Sequence, residues 1–499
     1  MPYGGSWGLG CVAKRGSARR RLAIAVCVLF TACSDAPAPG EPPRATKLAF
    51  VTQPTRAEGA VPISPAPQVA ILDQFSNTDT NATYPVSVSL AGPSGGTPLN
   101  GTTTVFAVAG VATFTDLRID EPRSDYTLVA TAPALQSTTS APFRVALAMA
   151  AITSGSAHTC GVTTSSFAYC WGWNRPGQLG DGTTEPRLIP TRVTGGLTFR
   201  QVMATALLIG YRTCGALTEA GAYCWGSNDQ GQLGDGTTEQ RNTPTPVVGG
   251  SSIVQVAVGA LHTCGVTGGR RAYCWGANGG GELGDSTTVS RLTPVAVWGD
   301  LEFVEVSAGE EFTCGVTLDH RAYCWGYNGW GELGDGTTVN QPVPTAVPGG
   351  LLFDHVSAGD RYACGVTTDS KAFCWGLNHY GQLGDGTTEQ RLTPTLVVGG
   401  FNFVHVSAAF VHTCGVTANG AAYCWGANNS GELGDGTTTQ RLVPTLVTGN
   451  LIFTRVAVGS NDTCGVTTAN IAYCWGFNGD GQLGDGTTMS RLTPTPVAP

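Results

Sequence analysis

The stretch CGVTTSSFAYCWG, running from Cys160 to Gly172, returns in six further close copies, and its reading decides the fold. The Trp of each Trp-Gly falls at Trp171, Trp225, Trp275, Trp325, Trp375, Trp425 and Trp475, a spacing of 54 and then of 50 five times over. Residues 147–499 are therefore seven tandem units, each of which can bury its apolar faces only against its neighbours. Four strand-like runs are visible in a unit. In the third they are IVQVAVG, HTCGVT, AYCWG and TPVAVWG, separated by Gly-, Asn- and Asp-rich turns and without a helical period. Four strands in each of seven units predict an all-β chain whose main body is a seven-bladed β-propeller.

Fourteen of the 17 cysteines form pairs ten positions apart: Cys160 with Cys170, Cys214 with Cys224, Cys264 with Cys274, Cys314 with Cys324, Cys364 with Cys374, Cys414 with Cys424 and Cys464 with Cys474. Each pair brackets a hairpin with a short turn such as Thr164-Ser165-Ser166. Counting back from the turn sets the two cysteines opposite each other on adjacent strands, where a disulfide can close. The rival reading is a set of metal sites, but a hairpin offers only two thiolates, and no two His recur beside them at ligand spacing.

Seven disulfides predict an exported protein, and the N-terminus reads the same way. Lys14, Arg15, Arg19, Arg20 and Arg21 precede an apolar run, LAIAVCVLFTA, of 11 residues. That is too short to span a membrane. It ends in FTACSD, which resembles the lipobox of bacterial lipoproteins, where the signal is cut before a Cys that then carries lipid. On this reading residues 1–32 are a signal peptide and Cys33 is the lipidation site, which anchors the protein to a membrane of the bacterial cell envelope. Cys11 and Cys27 leave with the signal, so every remaining cysteine except Cys33 is paired. An ordinary signal peptide cut nearby, giving a secreted protein, would leave one odd thiol. Removing five basic residues also moves the net charge from −8 to −13. A nucleic-acid-binding protein needs a basic footprint, so that class is excluded.

After Cys33, a Pro-rich tether over 33–45 leads into a second all-β segment, 46–146. Its runs KLAFVT, QVAILD, YPVSVSLA, GVATFTDL and YTLVATA are separated by Pro, Gly, Asn and Asp turns. Strands this short and this many suit a small two-sheet sandwich. The portion GVATFTDLRID…YTLVATAP resembles bacterial immunoglobulin-like domains, which most often act as spacers.

The motif H-T-C-G-V-T…Y-C-W-G-x-N-x-x-G-Q/E-L-G-D-G-T-T chooses among propeller families. A Trp-Asp pair is missing, unlike WD40 blades, and the Tyr-to-Trp spacing is not that of kelch. The pattern resembles the repeat of the regulator of chromosome condensation family across all seven units. The second unit departs most, around 206–211 and at Arg212, and the third has Ser286 where the other six have Gly. The resemblance implies a recognition role. Propellers of this type include a secreted inhibitor of β-lactamases with an aromatic-rich face, and the eukaryotic members are known for guanine-nucleotide exchange, which is the alternative function.

An enzyme should show one unit carrying a nucleophile, base or acid pair that the others lack. The repeated Asp of Gly-Asp-Gly-Thr-Thr (Asp181 to Asp485) is the only carboxylate of its loop and reads as a turn residue rather than a calcium ligand. His158, His262 and His412 share one repeat position and read as structural. Neither a nucleophile elbow nor a phosphate-binding loop is present, so no catalysis, cofactor or metal is expected. Two segments do vary sharply. One surrounds the repeated Asn: WNRP, SNDQ, ANGG, YNGW, LNHY, ANNS and FNGD. The other precedes each first Cys: GSAH, IGYR, GALH, GEEF, GDRY, AFVH and GSND. In an antiparallel blade of strands A to D, the A–B and C–D connections share one end of the propeller. The residues predicted to bind a protein or glycan partner there are Trp173, Arg175, Arg212, Phe312, Tyr327, Trp330, Arg361, Tyr362, His379, Tyr380 and Phe477, types enriched in binding hot spots.

Overall fold

The computed structural model describes residues 43–58, 61–91, 99–119, 121–207 and 209–498. Residues 1–32 and Cys33, where a signal peptide and a lipidation site are expected from the sequence, and the tether up to residue 42 lie outside the described residues. The first described strands are β1 (Ala45–Thr52), β2 (Arg56–Glu58), β3 (Gln68–Asp73), β4 (Pro85–Ala91), β5 (Thr104–Phe106), β6 (Val111–Thr113), β7 (Arg123–Thr131), β8 (Thr138–Thr139) and β9 (Phe143–Ala146). They build two sheets, β1-β3-β6 and β2-β9-β7-β4-β5, with β8 on β7. Alternation supplies the core between them. Val69 and Ile71 from the first sheet meet Val86, Val88, Leu128 and Val145 from the second, all buried in one apolar cluster.

From Met149 onward the described residues form seven four-stranded sheets, each made of four consecutive strands. The first comprises β10 (Met149–Ser154), β11 (His158–Thr163), β12 (Ala168–Gly172) and β13 (Arg187–Arg192), and the later sheets repeat it. All pairings within these sheets are antiparallel, and Cys160 faces Cys170 directly. The same register sets Cys214 opposite Cys224, Cys264 opposite Cys274, Cys314 opposite Cys324, Cys364 opposite Cys374, Cys414 opposite Cys424 and Cys464 opposite Cys474. Each of the seven pairs is a disulfide, with Cα atoms 4.0–4.1 Å apart. All fourteen cysteines are fully buried, so the bridges belong to the sheet interior and not to any binding surface.

Burial grades across each sheet. The second strand is buried on both faces, because neighbouring sheets cover it on both sides, whereas the fourth is half exposed. That outer edge carries a proline at its fourth position in every sheet, Pro190, Pro244, Pro294, Pro344, Pro394, Pro444 and Pro494. A proline removes an N–H from the free edge and blunts it against edge-to-edge pairing.

The repeated Trp fastens sheet to sheet. Each indole Nε1 donates to the backbone carbonyl of the Gln or Glu in the preceding Gly-Gln/Glu-Leu-Gly loop, at 2.9–3.0 Å. The Gly after that Leu is required by the same contact, since a Cβ at Gly180 would stand 2.6 Å from Trp225 Nε1. The first sheet uses this bond to meet the last: Trp171 donates to the Gln482 carbonyl at 2.9 Å. The row of sheets thus closes on itself, with no strand shared between its ends. At this seam Met149 stands where five other sheets place a Phe within 5.7–5.9 Å of a Trp ring. The smaller side chain borders a cavity of about 470 Å³ lined by Leu147, Met149, Tyr473 and Val497, away from the candidate binding residues.

Candidate recognition face

The two variable segments lie side by side in every sheet. The first residue of each C–D loop donates its amide to the A–B turn of the same sheet: Trp173 to Ala157, Ser227 to Tyr211, Ala277 to Leu261, Tyr327 to Glu311, Leu377 to Arg361, Ala427 to Val411 and Phe477 to Asn461, at 2.8–3.0 Å. A fixed frame holds the variable tips. In the fourth sheet the buried Asn328 carboxamide accepts from the Leu333 amide at 3.0 Å and donates to Asp335 and the Thr337 carbonyl. Glu332 Oε2 accepts the Trp330 amide at 2.7 Å, and Gln382 Oε1 accepts the Tyr380 amide at 2.9 Å. The repeated Asp belongs to this frame. Asp181 Oδ1 accepts from the Thr183 amide and hydroxyl while Oδ2 pairs with Arg187, so the carboxylate is fully engaged inside its own loop. Five more sheets repeat the Asp–Arg pair, and the fourth has Gln341 at the Arg position.

On this frame Arg175, His379, Tyr380 and Phe477 are exposed, and Trp173, Tyr327, Trp330 and Arg361 are partly exposed. The Trp330 ring meets His379 edge-on at 5.5 Å, and Trp173 meets Tyr211 at 4.5 Å.

Arg212, Phe312 and Tyr362 do not belong to the face, which corrects the expectation from sequence: all three are at most 1% exposed. They occupy the slot of His158, His262 and His412, which points into the neighbouring sheet. His158, His262 and His412 each place Nε2 on a Thr hydroxyl of the next sheet (Thr213, Thr313, Thr463) at 2.8–2.9 Å. Arg212 directs its guanidinium to Thr263 Oγ1 and to the Ala260 and His262 carbonyls. Tyr362 Oη donates to the His412 carbonyl at 2.6 Å and meets Thr413 Oγ1 and the Ala409 amide. Phe312 is the one hydrocarbon member, and it faces the one sheet whose Thr is replaced, by Ala363. At Phe312 the change is matched by one in the neighbouring sheet, whereas Arg212 and Tyr362 meet the usual Thr, Thr263 and Thr413. Burial pushes the three imidazoles down to about 3, so they are neutral staples.

Two groups are not evident from the sequence. The first is acidic. Glu310 and Asp360, within the GEEF and GDRY segments, pair with Arg361, whose Nε is 3.0 Å from Glu310 Oε2 and 4.0 Å from Asp360 Oδ2. Burial, reinforced by Glu310, holds the Asp360 carboxyl well above the usual carboxylate range, and burial pushes Glu332 up to about 7. The second lines the inside of the ring. The innermost strands touch one another all the way round, and Ala151, Gln201, Gln255, Glu305, His355, His405 and Arg455 share one register on them. His355 Nδ1 lies 3.0 Å from Glu305 Oε1, and its ring stacks on His405 at 4.8 Å. Apart from Ala151 these residues are polar and alternate with buried Val, a period-2 signal present in the sequence.

Residues 205–499, more than half of the chain, match the family described as RCC1-like domain, and 167–206 match the regulator of chromosome condensation (RCC1) repeat. Human E3 ubiquitin-protein ligase HERC2 is 38% identical over 111 residues, which cover 22% of this chain and 2% of that protein. Ultraviolet-B receptor UVR8 of Arabidopsis thaliana is 35% identical over 116 residues, 22% of this chain and 25% of that one. The chain thus spans a small part of these relatives. Among solved structures, Prp20p of Saccharomyces cerevisiae, described with its binding properties to Gsp1p and histones, is similar with a TM-score of 0.59 at 21% identity, over 68% of this chain and 87% of that one. Human WBSCR16 gives a TM-score of 0.56 at 19% identity, over 75% and 96%. At these identities the likeness is one of fold.

Proposed function

The chain belongs to the RCC1-like domain family, and from that premise we propose that it is a non-catalytic recognition module, a seven-bladed propeller that binds a protein partner through its A–B and C–D loop face. The observation that carries the reading is the pairing of two variable segments over an invariant frame. The fold does not need Trp330, Tyr380 or Phe477 where they stand, since the equivalent slots of other blades hold unrelated residues, yet they stand partly exposed together with Tyr327 and His379. Tyr and Trp at such places are typical binding anchors. Nucleotide exchange rests on family membership alone.

The compartment is part of the same proposal: a signal peptide over 1–32, lipid on Cys33, and an immunoglobulin-like spacer that lifts the propeller off a bacterial envelope membrane. The seven disulfides support it, because they persist only in an oxidising compartment.

The test is capture of the partner from envelope extract, followed by affinity measurement on two variants. Trp330→Ala should lose at least about 30-fold, the equivalent of about 2 kcal/mol for an interfacial Trp, with an unchanged melting temperature. Leu318→Ala, on an exposed B–C turn at the opposite end, should bind normally. Loss in the Leu318 variant with none in the Trp330 variant would assign the face backwards.

A further inference from the structure

The cavity beside Met149 lies where the sandwich meets the seam of the ring. Residues of β9 (Phe143–Ala146) alternate between two faces. Phe143 and Val145 are buried in the sandwich core, so Arg144 and Ala146 point out of the other side. Both line the cavity with Thr55, and the seventh blade supplies Ile471, Tyr473 and Val497. Only Leu147 and Ala148 separate β9 from β10, and backbone bonds pin that short link to the ring. The Met149 amide donates to the Asn470 carbonyl of the last blade, and the Thr164 amide of the first blade to the Ala148 carbonyl, both at 2.9 Å.

The fold has a filler for this place and does not use it. The amides of Phe199, Phe303, Phe353, Phe403 and Phe453 make the same bond to the preceding B–C turn that Met149 makes, so all six residues share one register. Protein interiors leave few voids larger than a water molecule. The space of about 470 Å³ is instead of ligand-pocket size.

Its chemistry is one-sided. Leu147, Met149, Ile471, Val497 and the Tyr473 ring give apolar walls. Thr55 and Arg144 are exposed, so they stand where the cavity meets solvent. A hydroxyl and a guanidinium both donate to an anion. No carboxylate lines the cavity, and among the described residues the Arg144 guanidinium has no acidic partner. A hydrocarbon chain suits the walls, and a carboxylate suits the rim, because guanidinium and carboxylate pair in a matched fork. At roughly 30 Å³ for each non-hydrogen atom, the share of a water in the liquid, the cavity holds about 15 such atoms.

We propose that this cavity binds a free fatty acid of about ten to twelve carbons, with its chain against Met149, Ile471 and Val497 and its carboxylate on Arg144. An ester of the same acid has no charge to offer Arg144. The site lies at the B–C end of the ring, so its ligand is separate from any partner of the recognition face.

The probe is decanoate below its micelle-forming concentration, titrated calorimetrically into the full chain, with butyrate and decanol as counterparts. Decanoate should bind. Butyrate, six methylenes shorter, should bind at least about a hundredfold more weakly. Decanol, which lacks the charge, should bind at least about fivefold more weakly. Arg144→Gln should weaken decanoate by at least about fivefold and change decanol by less than about twofold. Met149→Phe, the residue of five other junctions, should abolish binding of both and raise the melting temperature by filling the space. Should Met149→Phe disturb the fold, Leu147→Phe is the second filling variant; it copies Phe401, which stands two residues before Phe403 in the sixth blade, and it should weaken both ligands. A wild type that does not bind decanoate, or binding that survives the filling variants, would overturn the proposal. Equal affinity for decanoate and decanol would do so too, as would an Arg144→Gln variant that binds decanoate as the wild type does, since the cavity would then take hydrocarbon without reading a carboxylate.

Discussion

Phe312 and Ala363 form the one apolar pair in an interblade slot that is otherwise polar, and the other blades show what would replace it. His158, His262 and His412 each bond a Thr of the next blade at 2.8–2.9 Å. Phe312→His combined with Ala363→Thr should build a fourth such staple between the fourth and fifth blades. Phe312→His alone leaves a fully buried imidazole facing a methyl group. An unsatisfied buried polar group costs about 1–3 kcal/mol, and the phenyl ring's apolar packing is given up as well. Ala363→Thr alone can send its hydroxyl to the Glu332 carbonyl, as Thr313 and Thr413 do to Glu282 and Gln382 at 3.0 and 2.8 Å. Its added atoms must still fit against the Phe312 ring, where overpacking costs about 1–3 kcal/mol. In the double variant both penalties are relieved together. The double-mutant cycle should therefore show a favourable coupling of about 1–3 kcal/mol between positions 312 and 363. Urea unfolding of wild type, both single variants and the double variant at neutral pH, where the imidazole is uncharged, supplies the four free energies. Additivity within about 0.5 kcal/mol would show that positions 312 and 363 do not work as a pair across blades, and would refute the reading of Ala363 as the answer to Phe312.

Removing one disulfide by Cys314→Ser with Cys324→Ser should destabilise the chain by about 2–3 kcal/mol, the chain-entropy value for a short closed loop. Circular dichroism should keep the ring's β signature, because the bridge lies within one hairpin; failure to fold at all would mean that the pairings cross blades. The His staples predict acid sensitivity. Burial holds folded His412 down at about 3 while its unfolded value is 6.5, so the unfolded chain takes up a proton that the folded chain refuses. Its stabilising contribution is complete above about pH 6.5 and is lost as the pH falls toward 3. Going from about pH 7 to about pH 5, the stability gap between wild type and His412→Gln should shrink by about 2 kcal/mol. Other titrating groups cancel in that difference, and a gap that does not change with pH would mean that His412 is not held neutral.

The fold is readable in the sequence because its determinants are local and repeated. Cysteines ten apart and a Trp-Gly every 50 residues fix hairpin register and interblade docking seven times over, so even a departing unit does not obscure the pattern. Ser286 shows the tolerance: it takes φ 68°, the left-handed conformation that the other six loops give to Gly, without changing the loop's hydrogen bonds. The end-to-end contact is less readable, because the Trp171–Gln482 bond joins residues at opposite ends of the repeat array. The inner-ring residues Glu305 and His355 do not stand out, since alternation with Val marks a strand equally well whether the polar side faces water, a channel or a neighbour.

The candidate face is half readable, for a reason that Phe312 makes concrete. Difference between copies reads as freedom from structure, but a position can vary because its neighbour varies with it. The partner of Phe312 is Ala363, about one repeat downstream, and Ala363 is the single non-Thr in its column, just as Phe312 is the single hydrocarbon in its own. Compensation of that kind is visible inside this chain once the two columns are set beside each other. Applied to all variable positions, the criterion divides them: a residue whose change is answered in the next blade belongs to the frame, and an exposed residue whose change is answered nowhere is available for a partner. Trp330, Tyr380 and Phe477 pass it, since the Asn–Asp–Thr frame beneath them is the same as under Gly280, Ser430 and the tips of the other blades. Glu310 does not pass it: its carboxylate is answered in the next blade by Arg361, whose Nε lies 3.0 Å from Glu310 Oε2, and Arg361 is the single Arg in its own column, so this pair belongs with the frame although its residues vary.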